Sequence, residues 1–189
     1  MRLSEEMVFH TIVIRRFVES DIPVIVPSFE EHHWPKPEET FKEYLLEQQA
    51  GGRVVWIANV DNKFAGYITL TWWSQYQSFR DCQIPEIMDL NVLPPFRRIG
   101  IGLKLLVTAE SEAATRSDVV GIGVGLYGGD DGGYGLAQRL YVKSGYIPDG
   151  RGVTYNYQPV VPGDCMPCDD DLVLWFTKRL TTMHELSIR

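Results

Sequence analysis

The chain has 189 residues, 44% of them hydrophobic and 23% charged, which is typical of a soluble globular protein. Its 25 acidic and 18 basic side chains give a formal net charge of -7, which disfavours nucleic acid and anionic membrane surfaces as partners. The sequence contains no internal repeat or long linker, so we expect one domain over residues 1–189 that binds neither nucleic acid nor membrane.

The N-terminal segment and the cysteines bear on the cellular compartment. The first ten residues, MRLSEEMVFH, have no apolar run long enough for a signal peptide, and no later segment approaches the ~20 apolar residues of a membrane span. The three cysteines, Cys82, Cys165 and Cys168, are too few for a disulfide framework in a chain of this size. We therefore expect a cytoplasmic protein with reduced cysteines.

The first half of the chain alternates between strand-like and helix-like patterns, which favours α/β layering. Two runs of β-branched and aromatic residues around a turn at residues 61–63 indicate a hairpin, and Gly51 and Gly52 end the helix before it. The predicted elements are a strand over 11–17, irregular helical material over 20–34, a polar helix over 38–49, and strands over 54–60, 64–73 and 84–93.

The second half opens with a helix after the segment VLPPFRRIGIGLKLL, residues 92–106. The 3.6-residue period predicts that one side of this helix packs on the sheet, the side that carries Leu103, Leu106, Val107, Ala113 and Ala114. The later elements are a strand over 119–127, a short helix ended by Gly145, and strands over 153–157 and 172–177 with a loop containing GDCMPCDDD between them.

The turn before that helix has the chemistry of an anion site. The first amides of a helix have no intrahelical partners and lie at the positive end of its dipole, so a glycine-bearing turn there can present several N–H groups to a phosphate. Gly100 and Gly102 allow close approach, and Arg97, Arg98 and Lys104 add positive charge. The spacing excludes a Walker loop and a dinucleotide fingerprint. The alternative is a tight strand-to-helix turn with solvated arginines.

Two segments resemble the signatures of one family. The segment LNVLPPFRRIGIGLKLL, which starts at Leu90, resembles the coenzyme A motif of the GNAT acetyltransferases, Arg/Gln-x-x-Gly-x-Gly/Ala after a strand that ends in Leu-x-Val. Downstream, AQRLYVKSGY at residues 137–146 resembles the second signature, Ala-x-x-Leu-Tyr-x-x-x-Gly-Phe, with Tyr146 in the last position. The order of elements also agrees, so the resemblance covers nearly the whole chain.

The resemblance implies an α/β (α+β) fold, with a mixed, mostly antiparallel sheet flanked by helices and splayed at strands 4 and 5, around residues 91–93. It implies acetyl-CoA as the acyl donor and no metal. The turn would bind the coenzyme's pyrophosphate, and the strand before it would pair with the pantetheine arm. The residues expected to contact the coenzyme are Asn91, Val92, Leu93, Arg97, Arg98, Ile99, Gly100, Ile101, Gly102, Leu103 and Tyr134.

Tyr134 marks a departure from the family pattern. Many members have Asn seven residues before the signature tyrosine, where this chain has Tyr134 within GGDDGGYG. Backbone groups of this loop are expected to replace that side-chain contact to the pantetheine arm. The alternative is a flexible surface turn with solvated Asp130 and Asp131.

The resemblance also suggests catalytic residues. Tyr141 is placed as the general acid that returns a proton to the coenzyme A thiolate, and the alternative is a packing tyrosine. The attacking amine must lose a proton, and the fourth strand offers Glu86 and Asp89 as bases. Because strand side chains alternate, at most one of them should line the cleft unless a bulge intervenes. We favour Glu86, which falls where histone-acetylating members carry a basic glutamate; deprotonation through ordered water is the alternative.

Other candidates have weaker patterns. Cys165 and Cys168 have metal-ligand spacing, but no second Cys/His pair accompanies them, so we expect no metal. His32 and His33 either approach the cleft or lie at the surface. The aromatic residues after the third strand either form a wall of the acceptor cleft or belong to the core: Trp72, Trp73, Tyr76 and Phe79.

These observations favour an N-acetyltransferase that moves an acetyl group from acetyl-CoA to a primary amine by direct attack. The acceptor is a small-molecule or peptide amine, and a homodimer is left open. The alternatives are a non-catalytic acyl-CoA-binding or sensing module, and an unrelated nucleotide-binding domain. Turnover separates the acetyltransferase from the non-catalytic binding module. Competition between nucleotides and coenzyme A separates the nucleotide-binding domain from both.

Overall fold

The computed structural model describes residues 10–128 and 133–181. Asp130, Asp131 and His184, which the sequence patterns singled out, lie outside these residues. The helices are α1 Ile22–Glu30, α2 Glu38–Gln49, α3 Gln77–Asp81, α4 Ile101–Ala113 and α5 Gly135–Lys143. The strands are β1 Ile12–Arg16, β2 Arg53–Val60, β3 Lys63–Thr71, β4 Glu86–Val92, β5 Val119–Gly125, β6 Ile147–Tyr155, β7 Gln158–Pro159 and β8 Leu172–Arg179.

All the strands belong to one sheet, in the order β1-β2-β3-β4-β5-β8-β6-β7. Among the strands of the described residues, only the β4–β5 pair is parallel, and the other neighbours are antiparallel. The parallel pair is connected through α4, as a crossover between parallel strands requires. The expected mixed, mostly antiparallel sheet flanked by helices is therefore confirmed.

Helices cover both faces of the sheet, and the alternation of side chains along β2 shows how. Val54, Trp56 and Ala58 pack in a core shared with α4 and α5. Val55 and Ile57 point to the opposite face, in a core shared with α1 and α2. Successive side chains of a strand point to opposite faces, so a strand buried on both sides is apolar throughout.

The buried face of α4 differs from the predicted one. Leu106 and Ala113 are buried as expected, but Leu103 and Val107 are 48% and 49% exposed. The buried stripe runs instead through positions four residues apart: Ile101, Leu105, Ala109 and Ala113. Both sets satisfy the helical period because the helix is apolar on most sides, so only docking on the sheet selects the face.

The segment after β3 folds in a way that the sequence patterns did not reveal. The predicted strand over 64–73 ends at Thr71, and the short helix α3 follows it. Tyr76 and Phe79 are buried against Trp175 of β8, so these two aromatics belong to the core. Trp73 is 65% exposed.

None of the helices between residues 10 and 128 or between 133 and 181 combines the length and the apolar character that a membrane crossing requires.

Candidate active site

A cavity of about 1380 Å³ lies where β4 and β5 separate. The two strands pair only through Glu86–Ile87 and Gly121–Ile122, although both continue beyond these residues. The separation therefore begins at Met88, earlier than the predicted position at residues 91–93. A bulge in β4 lies at this point, and bulges bend the strand that contains them.

Both predicted carboxylates line this cavity. In the pairing of β3 with β4, Thr69 lies opposite Met88 and Tyr67 lies opposite Asn91, so β4 contains one residue more than its partner. Asp89 has a φ of +52°, the left-handed conformation of the inserted residue. The prediction that at most one of Glu86 and Asp89 lines the cleft assumed a regular strand. The bulge shifts the alternation of side chains, so both residues line the cavity and the prediction is wrong.

Glu86 is 3% exposed, and its Oε2 accepts a hydrogen bond of 2.5 Å from the Ser74 hydroxyl. Burial, with a smaller contribution from the negative charge of Asp89, raises the pKa of Glu86 to about 7, against the opposing effects of Ser74 and Arg53. A carboxyl group with this pKa exchanges its proton near neutral pH, which is the property required of a general base.

Asp89 is held by a residue of α2. The Tyr44 hydroxyl donates a hydrogen bond of 2.7 Å to Asp89 Oδ2. On the other side of Tyr44, the Arg53 guanidinium lies 4.7 Å from the ring centroid. Asp89 is thus anchored to α2, while Glu86 is not.

Tyr141 lies in α5, is 5% exposed and lines the cavity. Its hydroxyl makes no hydrogen bond to another residue within the described part of the chain. Burial, followed by the charge of Asp89, raises the pKa of Tyr141 well above that of a free phenol. The phenol therefore keeps its proton at neutral pH, and a proton donor needs this state.

The start of α4 forms the other end of the cavity. Gly100 has a φ of +89°, which favours glycine. The Lys104 amide donates to the Gly100 carbonyl at 3.1 Å, and the amides that precede it in α4 have no earlier helical turn to bond. Arg97 and Arg98 also line this part. The arrangement suits an anionic group.

Other basic side chains contribute to the same cavity. They are His32, His33, Lys36, Arg139 and Lys143. Of the two alternatives for the histidine pair, the structure supports the one in which both residues approach the cleft.

The two glycines of the turn have different roles. A β-carbon on Gly102 would lie 3.4 Å from Leu140 Cδ2 and 3.9 Å from Val92 Cγ2. These are ordinary van der Waals distances, so Gly102 faces α5 and β4 across a filled contact. A β-carbon on Gly100 would have no neighbour within 4 Å, so the space beside Gly100 is open. Gly100 is therefore the glycine that leaves room for a ligand.

All of the predicted coenzyme contacts line the cavity except Leu93 and Ile99. The Leu93 side chain is buried in the core, and its amide donates to the Ala65 carbonyl at 2.9 Å. Of the lining residues, Arg97 donates from Nε to the Val92 carbonyl at 3.0 Å, so this carbonyl is already bonded within the protein.

Tyr134 packs its ring on Gly125 and donates from its hydroxyl to Asp170 Oδ1 at 2.9 Å. The Tyr127 hydroxyl donates to the same oxygen at 2.7 Å. These bonds connect the start of α5 to the segment before β8. Tyr134 thus shapes the wall of the cavity through its side chain, a role that the sequence motif did not indicate.

Sequence reasoning missed three residues near Glu86 and Asp89: Ser74, Tyr44 and Tyr157. Tyr157 lines the cavity, and its ring centroid lies 5.8 Å from that of Trp175. No sequence signal marks these residues, since each reaches the site through pairing or packing of distant segments. Cys165 and Cys168 are both exposed, in the loop before β8.

Comparisons with known proteins agree with this geometry. The sequence profile described as the acetyltransferase (GNAT) family matches residues 23–146. No curated protein matches the chain significantly.

Among solved structures, the ribosomal-protein-alanine N-acetyltransferase of Brucella melitensis is 19% identical, with a TM-score of 0.64 over 89% of this chain and 99% of that chain. The yncA protein of Salmonella typhimurium, solved with its cofactor acetyl-CoA, is 16% identical, with a TM-score of 0.64 over 90% and 94%. NAA60 of Arabidopsis thaliana, in complex with a bisubstrate analogue, is 17% identical, with a TM-score of 0.63 over 90% and 98%.

These structural likenesses establish the fold, and the family profile covers well over half of the sequence. Together with the two signature segments, they show that this chain belongs to the acetyltransferase (GNAT) family and is an acyltransferase enzyme.

Proposed function

We propose that this protein transfers an acetyl group from acetyl-CoA to a primary amine by direct attack. The observation that carries the proposal is that one cavity joins the glycine-bearing start of α4 to a buried carboxyl group, Glu86, and to a buried phenol, Tyr141, whose hydroxyl has no partner among the described residues. This is the set of groups that an acyl transfer from a phosphate-bearing donor to an amine requires.

The residues present fit acetyl-CoA. The amides at the start of α4, with Arg97 and Arg98, would hold the pyrophosphate, and the open space beside Gly100 admits it. The β4 edge from Met88 onward is unpaired on the β5 side and faces the cavity, so it would hold the pantetheine arm. When bound there, acetyl-CoA supplies an acetyl group activated as a thioester.

Glu86 is the proposed base. An amine is protonated at neutral pH, and the Glu86 carboxylate accepts that proton so that the nitrogen can attack. Tyr141 is the proposed acid, and its hydroxyl donates a proton to the sulfur that leaves. Both groups line the same cavity. Near neutral pH the Glu86 carboxyl group exchanges its proton while the Tyr141 phenol keeps its own, as these roles require.

The lining of the cavity favours a cationic acceptor. Asp170 and Asp171 line it in addition to the two carboxylates of β4. A protonated amine is attracted to this side, while the basic residues near α4 attract the donor. Similar structures include enzymes named for ribosomal-protein alanine, so a peptide amine is a candidate acceptor beside a small molecule.

The test is an assay of thiol release from acetyl-CoA with tobramycin, spermidine, lysine and a peptide that begins with alanine. We expect release above background with at least one amine, and loss of that release in Glu86→Gln. Stabilisation of the fold by acetyl-CoA without release for any amine would favour a non-catalytic acyl-CoA-binding module. Stabilisation by ATP or NAD but not by acetyl-CoA would contradict both.

A further inference from the structure

Ser74 lies next to Glu86, in the segment between β3 and α3, and it is 1% exposed. Its hydroxyl donates to Glu86 Oε2 at 2.5 Å, and the two residues are separated by 12 positions in the chain. This contact is buried, so it is not weakened by solvent.

A second hydrogen bond leaves the Ser74 proton available to Glu86. The Tyr76 amide donates to Ser74 Oγ at 3.0 Å. Since an amide N–H can only donate, Ser74 Oγ is the acceptor there, and its single proton is free to point at the carboxylate. When Glu86 is ionised it can only accept, so the Ser74 hydroxyl donates to it, and this bond favours the ionised form.

Tyr76 is itself held firmly. Its ring stacks on Trp175 with centroids 4.2 Å apart and an interplanar angle of 5°. Its hydroxyl donates to Asp149 Oδ2 at 2.8 Å. Tyr76 is thus fixed through its ring and through its hydroxyl. Its amide therefore stays in position and holds the Ser74 hydroxyl in place.

The other ionisable groups that act on Glu86 lie on its own strand and on two neighbouring elements. Asp89 is on β4, Arg53 is on β2, and Tyr157 is in the turn between β6 and β7. The Arg53 guanidinium donates from Nη1 to Thr69 Oγ1 at 2.7 Å rather than to Glu86. Within residues 10–128 and 133–181, Ser74 is the residue that donates a hydrogen bond directly to Glu86.

We infer that Ser74 is a positioning residue that holds the Glu86 carboxylate in one orientation through its donated hydrogen bond. The catalytic part of this inference rests on the proposed role of Glu86 as base. Burial and the charge of Asp89 raise the pKa of Glu86, and the Ser74 hydroxyl opposes them. Without this donor the carboxyl group would hold its proton to a higher pH.

The test is Ser74→Ala, with two measurements. The first is the pKa of Glu86 in the free protein, from carbon-13 NMR of the labelled carboxyl group, with the signal assigned by Glu86→Gln. The second is the pH dependence of thiol release from acetyl-CoA with the most active amine of the panel above. We expect both to move upward by about one pH unit, so that turnover falls about fivefold at pH 7 and recovers near pH 9.

A matched control is Thr71→Val, which removes a buried hydroxyl at the end of β3, directly across from Glu86 in the β3–β4 pair. Thr71 Oγ1 bonds the backbone of Trp73 and, among the described residues, makes no hydrogen bond to Glu86. We expect this variant to leave the pKa of Glu86 and the shape of the pH profile unchanged, whatever its effect on stability. Equal changes in both variants would mean that the segment only supports the fold, and would overturn the inference.

The remaining outcomes separate the inference from the proposed function. An unchanged pKa of Glu86 in Ser74→Ala would overturn the inference even if turnover fell. A raised pKa with an unchanged pH profile would support the role of Ser74 and show that Glu86 is not the base. Because Ser74→Ala introduces no larger group into the core, a folded variant is expected, and the NMR measurement needs no acceptor.

Discussion

At the scale of single residues, two tyrosines of similar burial have different surroundings. Tyr141 is 5% exposed and lines the cavity. Tyr146 is 2% exposed and lies next to Glu110 of α4 instead. Their ring centroids are 5.9 Å apart. The pair allows the catalytic and packing interpretations of a buried tyrosine to be separated within one protein.

The first prediction concerns these hydroxyls. Tyr141→Phe should lower turnover by about 100-fold, because the sulfur then leaves without a proton donor. The melting temperature should change little, since the Tyr141 hydroxyl has no described partner to lose. The measurement is thiol release together with a thermal melt. Tyr146→Phe, the matched control, should keep its turnover; equal turnover in wild type and Tyr141→Phe would favour a packing role.

The second prediction concerns stability and pH. Burial raises the pKa of Glu86 to about 7 from an ordinary value near 4.5. Between these values the folded state holds a proton that the unfolded chain has lost, so rising pH favours unfolding. The free energy of unfolding should therefore fall by up to about 3 kcal/mol more in wild type than in Glu86→Gln between pH 4.5 and pH 7. Urea titrations at several pH values measure this slope, and parallel slopes would contradict the prediction.

At the scale of elements, the turn into α4 brings the donor site together. Gly100 provides the left-handed residue, and Gly102 faces Leu140 of α5. A β-carbon on Gly102 would already contact Leu140, so a larger side chain there would press on α5 as well as on a ligand. Gly100 is the better probe of binding, because its side chain would enter open space.

The third prediction compares two left-handed glycines. Gly100→Val should remove the rise in melting temperature that acetyl-CoA produces, because the side chain occupies the space needed by the pyrophosphate. It should also cost about 1–2 kcal/mol through backbone strain. Gly51 has a φ of +76° and equally open surroundings, and it does not line the cavity. Gly51→Val should thus lose a similar amount of stability but keep the rise in melting temperature that acetyl-CoA produces. If Gly100→Val also keeps that rise, the pyrophosphate does not bind beside Gly100.

At the scale of the whole molecule, the two parts of the sheet meet at a short junction. Strands β4 and β5 share two residue pairs, and the cavity opens beyond them. The junction is supported by Phe79, whose ring lies against Gly121 and packs edge-on against Trp175. The same cluster holds Tyr76, whose amide bonds Ser74, and Ser74 in turn bonds Glu86, so the junction is connected to Glu86.

The fourth prediction tests this junction. Gly121→Ala should destabilise the fold by about 1–3 kcal/mol, because its β-carbon would overlap the ring of Phe79. Gly135→Ala, at the start of α5, meets no atom within 4 Å and should be neutral or slightly stabilising. Chemical denaturation of both variants gives the comparison. If Gly121→Ala has the stability of the wild type, the Phe79 ring can move aside at little cost, which would contradict the prediction.

The sequence predicted the features that depend on neighbouring residues. Local patterns set several features, and the structure has them as predicted. They are the bounds of α2, the turn at Gly100, the left-handed Gly145 and the place of Tyr141 in α5. The alternation of elements predicted α/β layering, and the family resemblance implied the mixed, mostly antiparallel sheet that the structure has. Local propensities and turn chemistry act over a few residues, so they can be deduced from the sequence.

Only the tertiary structure decided the features that depend on how distant segments meet. The bulge at Asp89 depends on the register between β3 and β4, and it brings Glu86 and Asp89 into one cavity. Docking of α4 on the sheet chose which of its apolar faces is buried. The Ser74 contact to Glu86 required α3 to fold against Trp175. Register, docking and long-range contacts are set by the packing of the whole chain, and no local pattern encodes them.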